Sequence, residues 1–446
     1  MLLAAGIGAS SQAPDTQNGQ TAGRQPATIT LDEAIHRAQS VEANYVSAAG
    51  EARAALLDRD IAVAGLLPTV HFYSQDIYTQ SNGYYTEGGE GQLSPSPKFV
   101  ANDSRPWEYI AQGLVDESLS LGASAAVHRA KAAAAQAAAE QEVAGRGLVA
   151  AVVSLFYGSL AADHKLTVAQ QAQQQAADFA KLTQEREQAR EAARADVVKA
   201  QLEEQSRERE LGDARVEAEK ARLELGVLLF PDPRTPYTLS APDAAPVLAS
   251  REDVDAAAAR NNPELKRALA ALNASRADEL AARAAYLPDL HFTLAYGIDA
   301  NEFATKGPLT ASGFQANNLG YSTTATVNLP VWDWLATQHK VKQSEVRREV
   351  ARAALTATQR QLIAKLDEAY SEAATARDQL ASLDLSVNTA AESLRLTKLA
   401  YQGGEATVLE VVDAHGAYVG AQNAREDGRV RYQAALADLQ MLTGTM

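Results

Sequence analysis

The sequence predicts a mainly α-helical, internally duplicated protein that sets pairs of membrane-type β-strands between very long helices. Three observations carry this: a repeat along the chain, strand segments of alternating polarity behind a Leu-Pro stop, and helical stretches too long to stand alone.

The repeat emerges when the chain is compared with itself. Residues 67–72 read Leu-Pro-Thr-Val-His-Phe, and residues 287–292 read Leu-Pro-Asp-Leu-His-Phe. Each follows an alanine-rich helical run, Ala43 to Leu66 and Glu264 to Tyr286. Farther on, Ala193-Arg-Ala-Asp-Val-Val-Lys-Ala200 aligns with Thr407-Val-Leu-Glu-Val-Val-Asp-Ala414, and Leu225 and Leu228 match Leu439 and Leu442. One order of features, found twice, gives repeats at 28–230 and 251–446 joined by a linker at 231–250.

Each repeat opens on a helix whose start resembles a capping box, Thr30-Leu-Asp-Glu33 and Ser250-Arg-Glu-Asp253. The Leu-Pro then ends the next helical run, because proline lacks the amide donor and disfavours helix at the residue before it. Strands are expected at about 67–80 and 108–121, and at about 287–299 and 321–332, around polar loops at 81–106 and 300–320. In the second pair, Leu290, Phe292, Leu294, Tyr296 and Ile298 share a face opposite His291, Thr293, Ala295 and Gly297. Tyr321, Ala325, Val327, Leu329 and Val331 oppose Ser322, Thr324, Thr326 and Asn328. A wall between lipid and water alternates in this way; so do ordinary soluble hairpins. The first pair alternates less cleanly, with Asp76 on the face of Val70 and Phe72 and Glu117 interrupting 109–121. Tyr73, Tyr78, Trp107, Tyr109, Trp332 and Trp334 gather at strand ends, as an interfacial girdle does.

Long helices are expected from about 123 to 188 and from about 335 to 401, each roughly 100 Å long at 1.5 Å per residue. In the second, Leu380, Leu383, Val387, Ala390, Leu394 and Tyr401 keep the three-four spacing of a coiled-coil seam. Helices of this length without a bulky core need partner helices, which implies an assembly.

Composition narrows the function. Acidic residues outnumber basic ones by 56 to 41, a net charge of −15, so nucleic acid is not an expected partner. With no cysteine, the chain has no disulfide, thiolate metal site or thiol nucleophile. Met1 to Ala9 reads like the tail of a secretory apolar segment, and Ser11-Gln12-Ala13 like a small-residue cleavage site. Residues 1–27 are therefore expected to be a signal-peptide remnant and flexible segment. No run of 18 apolar residues marks a spanning helix; Gly147 to Ala162 comes nearest and reads as a buried helix. Seven histidines fall outside any close metal-ligand spacing, although His71 and His291 take equivalent strand positions. No phosphate-binding glycine loop or nucleophile elbow is present, so neither enzyme activity nor a cofactor is expected.

Taken in order, these features resemble the TolC-type outer-membrane factor family over nearly the whole chain from about Thr28. The signs are Leu31-Asp-Glu-Ala-Ile35, Asn262-Pro-Glu-Leu265, both Leu-Pro strand starts, Asn328-Leu-Pro-Val-Trp-Asp333, and Tyr401-Gln-Gly-Gly-Glu-Ala-Thr-Val-Leu-Glu-Val-Val-Asp-Ala414. The resemblance implies a homotrimer in which each protomer gives four strands to a 12-stranded outer-membrane β-barrel and its helices to a periplasmic α-barrel tunnel. Such a protein is a passive exit duct of efflux or type I secretion, working with a periplasmic adaptor and an inner-membrane pump. The turns near 189–196 and 402–407 become periplasmic tips, where Ala193, Arg194, Gly403 and Gly404 face an adaptor. Glu410 and Asp413 match carboxylates that ring the constriction, Asp196 the first-repeat partner position, and Tyr401 a tyrosine that ties the closed tip. Without the resemblance, Glu410 and Asp413 are simply charges near a helix N-terminus, where acids are stabilised.

Three departures bear on the gate. Ala406 stands where an arginine is often found. Arg190-Glu-Ala-Ala-Arg194 lacks the tip glycine, which favours a more helical first tip. Val41-Glu-Ala-Asn44 replaces an expected Asn-Pro. A soluble alanine-rich coiled-coil scaffold or adaptor is the alternative, but it leaves the duplicated strand pairs without a purpose.

Overall fold

The computed structural model describes residues 27–78, 107–240, 247–309 and 311–444. Residues 1–26 of the expected signal remnant, the residues of the expected 81–106 loop, 79–80 of the expected first strand and 241–246 of the linker lie outside these, while Ala27 already belongs to a strand. In chain order the elements are β1 (Ala27–Ile29), α1 (Leu31–Val41), α2 (Ala43–Ala64), β2 (Thr69–Tyr78), β3 (Trp107–Leu119), α3 (Leu121–Gln188), α4 (Arg194–Leu229) and β4 (Tyr237–Leu239). There follow α5 (Arg251–Asn261), α6 (Pro263–Ala284), β5 (Asp289–Ala300), β6 (Lys306–Leu309), β7 (Gln315–Asn317), β8 (Leu319–Asn328), α7 (Ala336–Gly403) and α8 (Val408–Thr443). The duplication holds element by element: α3 and α7 have 68 residues each, α4 and α8 have 36, and α2 and α6 have 22.

The breaks between helices recur with different chemistry. At the second, Asn262 caps α6 by accepting from the Leu265 amide at 2.8 Å, with Pro263 at the first helical position. Its side-chain Nδ2 donates to the Leu442 carbonyl at 3.0 Å, and Asn262 is buried. The first repeat lacks Asn-Pro, yet Glu42 performs the same stop: its carboxylate accepts from the amides of Asn44 and Tyr45 at 3.0 and 2.7 Å.

Strands β2, β3, β5 and β8 form one antiparallel sheet in that order, with β2 and β8 at its edges. The register sets Val70, Phe72 and Tyr78 beside Val115, Gly113 and Trp107, then Leu294, Tyr296 and Ile298 beside Thr323, Tyr321 and Leu319. One face is therefore mainly apolar across both repeats, and the other carries His71, Gln75, Gln112, Asp116, Thr293 and Thr324. Asp76 and Glu117, which spoil the alternation, sit towards opposite ends of the apolar face. Gly297 is required where β5 meets β3, because a Cβ there would overlap the Ala111 carbonyl oxygen and the Gln112 Cα.

Two expectations need correction. The strand expected at 321–332 ends at Asn328, since Pro330 cannot donate to a ladder, so Leu329, Val331, Trp332 and Trp334 lie off the sheet. The loop expected at 300–320 contains a short hairpin, β6–β7. A further point concerns α3: it holds an 18-residue window of mean hydropathy 1.5, in the range of a membrane span. That window is 39% buried against the protein, and Val152, Val153 and Phe156 are part of the helix's packed face.

The described parts of residues 1–41, 152–246 and 386–430 form one compact unit, and those of 42–151, 247–385 and 431–446 a second. In the second, Leu248, Val254, Leu362, Leu366, Tyr432, Leu436, Leu439 and Leu442 cluster around Ala258, Ala373 and Ala376. In the first, Val408, Val411 and Tyr401 pack on Ala180 and Ala200. The α7 seam is in place: Val387, Leu394 and Tyr401 are buried, while Leu385, Leu396 and Leu399 are exposed.

Substituting Asn262→Ala removes both the cap and the bond to the C-terminal helix. It should cost about 1–2 kcal/mol, read as a lower thermal midpoint, with Glu42→Ala costing less because one of its two bonds is exposed and the other only part-buried, whereas the Asn262–Leu442 bond is buried.

Candidate functional site

The two inter-helix turns are built alike. After α7, the Glu405 amide donates to the Ala400 carbonyl at 2.9 Å and the Gly404 amide to Tyr401 at 3.2 Å, with Gly404 at φ 79°. After α3, the Glu191 amide donates to Arg186 at 2.8 Å and the Arg190 amide to Glu187 at 2.9 Å, with Arg190 at φ 62°. Both are Schellman stops, with a left-handed residue ending the helix. The first turn is thus not more helical than the second for want of glycine; Arg190 takes the left-handed conformation at a steric cost that glycine avoids.

Glu410 has work inside its own chain. Its Oε2 accepts from the Thr407 amide at 2.6 Å and the Thr407 hydroxyl at 3.0 Å, while its own amide donates to Thr407 Oγ1 at 3.3 Å. This is a capping box on α8. The Thr407 amide, and then its hydroxyl, hold the Glu410 carboxyl below the usual range, so it stays ionised at pH values where an ordinary glutamate is partly protonated. Asp413, three residues on, shares that helix face, and both side chains are exposed. The first repeat presents Asp196 and Lys199 at the matching positions, and Ala193 caps α4 without a side-chain bond. Only α8 therefore carries acid at both.

Tyr401 is buried against Phe179, ring centroids 5.2 Å apart, and its hydroxyl lies 3.5 Å from Thr183 Oγ1, its hydrogen-bond neighbour. Arg186, which the sequence reading passed over, donates to the carbonyls of Tyr401 and Gln402 at 2.9 and 3.1 Å and stands 5.0 Å over the Tyr401 ring. An arginine in the last turn of a predicted helix was visible in the sequence; its target on another helix was not.

Two buried ionic clusters were also missed. Glu203 bonds Arg207 at 2.6 Å and lies 3.8 Å from the His415 ring, which, with Arg207, holds the carboxyl below its usual range against the opposing effect of burial. Glu426 is 3% exposed and receives Arg425 at 2.8 Å, His164 at 3.1 Å and Arg429 at 3.3 Å. Burial pushes its carboxyl up, but His164 and the arginines pull it further down. The Glu203–Arg207 spacing of four was legible as a helical pair; the histidines on other helices were not.

On the sheet's polar face, Asp116 accepts from the Thr293 hydroxyl at 2.6 Å and lies 3.4 Å from His71 Nδ1. His291 shares the face, but no group of three His, Asp or Glu side chains among the described residues is placed to hold a metal. Trp107 stacks on Tyr109 at 6.2 Å and meets Tyr78 at 4.6 Å at the strand ends that border residues 79–106 in the sequence. Trp332 and Trp334 stand at the opposite end, 69% and 83% exposed, with Trp334 and Leu335 at φ 58° and 66°.

Residues 256–445 match the profile of the family described as outer membrane efflux protein. Outer membrane protein OprJ of Pseudomonas aeruginosa is 28% identical over 177 residues, which are 40% of this chain and 36% of that protein. Over the whole fold, the Campylobacter jejuni CmeC outer membrane channel aligns with a TM-score of 0.74 at 14% identity, covering 98% of this chain and 93% of that one. The outer membrane protein VceC of Vibrio cholerae aligns with a TM-score of 0.74 at 16% identity, covering 93% of this chain and 96% of that one. The long helices and four-stranded sheet are thus those of outer-membrane channel structures. The family profile matches the second repeat, and the likeness of fold to these channel structures extends over both repeats.

The Glu426 cluster sets a pH dependence. A depressed carboxyl contributes stability that is present above its unfolded value of 4.5 and lost as pH falls through the folded value. Glu426→Gln should therefore be less stable than wild type at neutral pH and lose less on acidification below about pH 4.5, checked by thermal melts across that window.

Proposed function

We propose that this protein is a passive exit duct of the outer membrane, serving a tripartite efflux or type I secretion system. Three copies of the four-stranded sheet make a 12-stranded barrel, continued by a periplasmic tunnel of helices. The carrying observation is the two-faced sheet whose two edges, β2 and β8, are open among the described residues. Unpaired edges invite association with other strands and are managed by closure. The strands run alternately up and down from β2 to β8, so β8 of a neighbouring copy meets β2 antiparallel, and cyclic repetition closes the ring. The helices flanking those edges expose the surface such a neighbour would cover: Leu57 and Ile61 on α2, Val346 and Val350 on α7. Along β3, Tyr109 to Glu117 spans about 26 Å of strand at 3.3 Å per residue. Tilted by about 40°, that is a height of about 20 Å, close to the apolar band of about 25 Å on outer-membrane barrels.

In this reading the polar face lines the lumen, and Trp107, Tyr109, Trp332 and Trp334 lie at the two membrane interfaces. Asp196, Tyr401, Glu410 and Asp413 form the constriction near the turns, where Ala193, Arg194, Gly403 and Gly404 meet the adaptor. Substrate movement is driven by the inner-membrane pump; the duct performs no chemistry of its own. The repeats at 28–230 and 251–446 each supply two strands and one turn.

Membrane fractionation followed by sizing in detergent tests the reading. Recovery from the outer membrane at trimer mass is the expected result; a detergent-free soluble monomer or dimer would hand the case to the coiled-coil scaffold. For the constriction, Glu410→Ala with Asp413→Ala should lower cation selectivity in planar bilayers and weaken block by multivalent cations. Unchanged selectivity would remove those residues from the pore while leaving the fold intact.

A further inference from the structure

Resting on the exit-duct reading, we infer that Arg186 is a clamp that fixes the aperture by holding the α7–α8 turn against the α3–α4 turn. The last carbonyls of a helix lack intrahelical partners and carry the negative end of its dipole. At the end of α7, the Ala400 and Tyr401 carbonyls accept from the turn amides of Glu405 and Gly404. Arg186 reaches from α3 to the Tyr401 and Gln402 carbonyls with its two terminal nitrogens, at 2.9 and 3.1 Å. Its guanidinium also lies over the Tyr401 ring and is 3.6 Å from Glu191 across its own turn. One planar group therefore engages the backbone end of α7, the face of its buried tyrosine and the turn that follows α3.

The grip is one-sided. Under the repeat alignment, Arg186 and Glu187 correspond to Ala400 and Tyr401. The first repeat supplies the cation, the second the carbonyls and ring. Thr407 and Glu410 lie immediately past the held turn, with Asp413 one helical turn on. Movement of the α7–α8 turn away from α3 has to break both carbonyl bonds and unstack the ring. Arg186 is thus a positioning residue for the constriction, acting through the turn rather than by contact with cargo. Lysine cannot replace it, because an ammonium neither forks to two carbonyls in one plane nor stacks in the same way.

The test compares full-length wild type, Arg186→Ala and Arg186→Lys, each purified in detergent and confirmed as the same oligomer by sizing. Single-channel conductance in planar bilayers and hydrogen exchange of the amides of residues 402–410 are both read. The expected result is a severalfold rise in conductance and in exchange for Arg186→Ala, with Arg186→Lys displaced in the same direction. Wild-type values for Arg186→Ala in both readouts would overturn the clamp. Should Arg186→Ala fail to assemble, Arg186→Lys decides alone, and wild-type values for it overturn the argument from the fork. A wild type that conducts no current would sink the duct reading, while the exchange data would still decide whether Arg186 holds the turn.

Discussion

Helix α3 buries alanine at 125, 132, 139, 172, 176 and 180, and a methyl group removes far less apolar surface from water than a leucine side chain does. Such a helix gains little per contact, so it must gain by length and by close approach along its whole run. That constraint explains the 68-residue helices, the small clusters in place of one bulky core, and the many exposed apolar side chains on α2, α4 and α7. It also explains the buried ions. Where alanine leaves room between helices, Glu426 with His164 and Glu203 with His415 fill it, and each carboxylate is matched by arginine from its own helix and a histidine ring across the gap. Charges so placed tie particular helix faces together with more directional demand than methyl groups can.

The two repeats keep the same backbone events and have exchanged the residues that produce them. Asn262 with Pro263 and Glu42 alone both stop and restart a helix; Gly404 and Arg190 both turn left-handed after a long one. The conserved quantity is the geometry of the break, because the chain must reverse or bend there whatever side chain is present. Freed from having to match, the side chains around the second pair of turns have diverged into complementary roles, with a cation on one helix and an aromatic ring and carbonyls on the other.

Much of this architecture was legible in the chain. Leu-Pro marks each strand start because proline physically ends the helix, and the alternation of 290–298 fixed which face is apolar. The weaker pattern in the first pair became clear only through register, which sets Val70 and Phe72 beside Val115 and Gly113 and moves Asp76 and Glu117 to the ends of that face. Proline at 330 was readable as a strand stop, yet Leu329 and Val331 continue the apolar alternation and suggested a longer strand. The site was less legible. Spacing along one helix shows Glu410 and Asp413 on one face, and it shows Glu203 four residues before Arg207. It carries nothing about what a residue meets on another helix, so Arg186 on the carbonyls of α7, Thr183 beside Tyr401, and His164 against Glu426 had no signal to find them by.

The short pairing of β1 with β4 has its own consequence. Ala27–Ile29 lies parallel to Tyr237–Leu239, so the chain enters the first repeat and, more than two hundred residues later, leaves it through adjacent, co-directional segments. A stretch of polypeptide that starts and finishes side by side is a closed loop in space. A gene for one such loop can be copied in tandem and read through without a connecting segment that must cross the molecule. Tandem duplication of a half-length unit of this kind therefore meets no topological obstacle, and three β-strand residues at each end are enough to keep the route open.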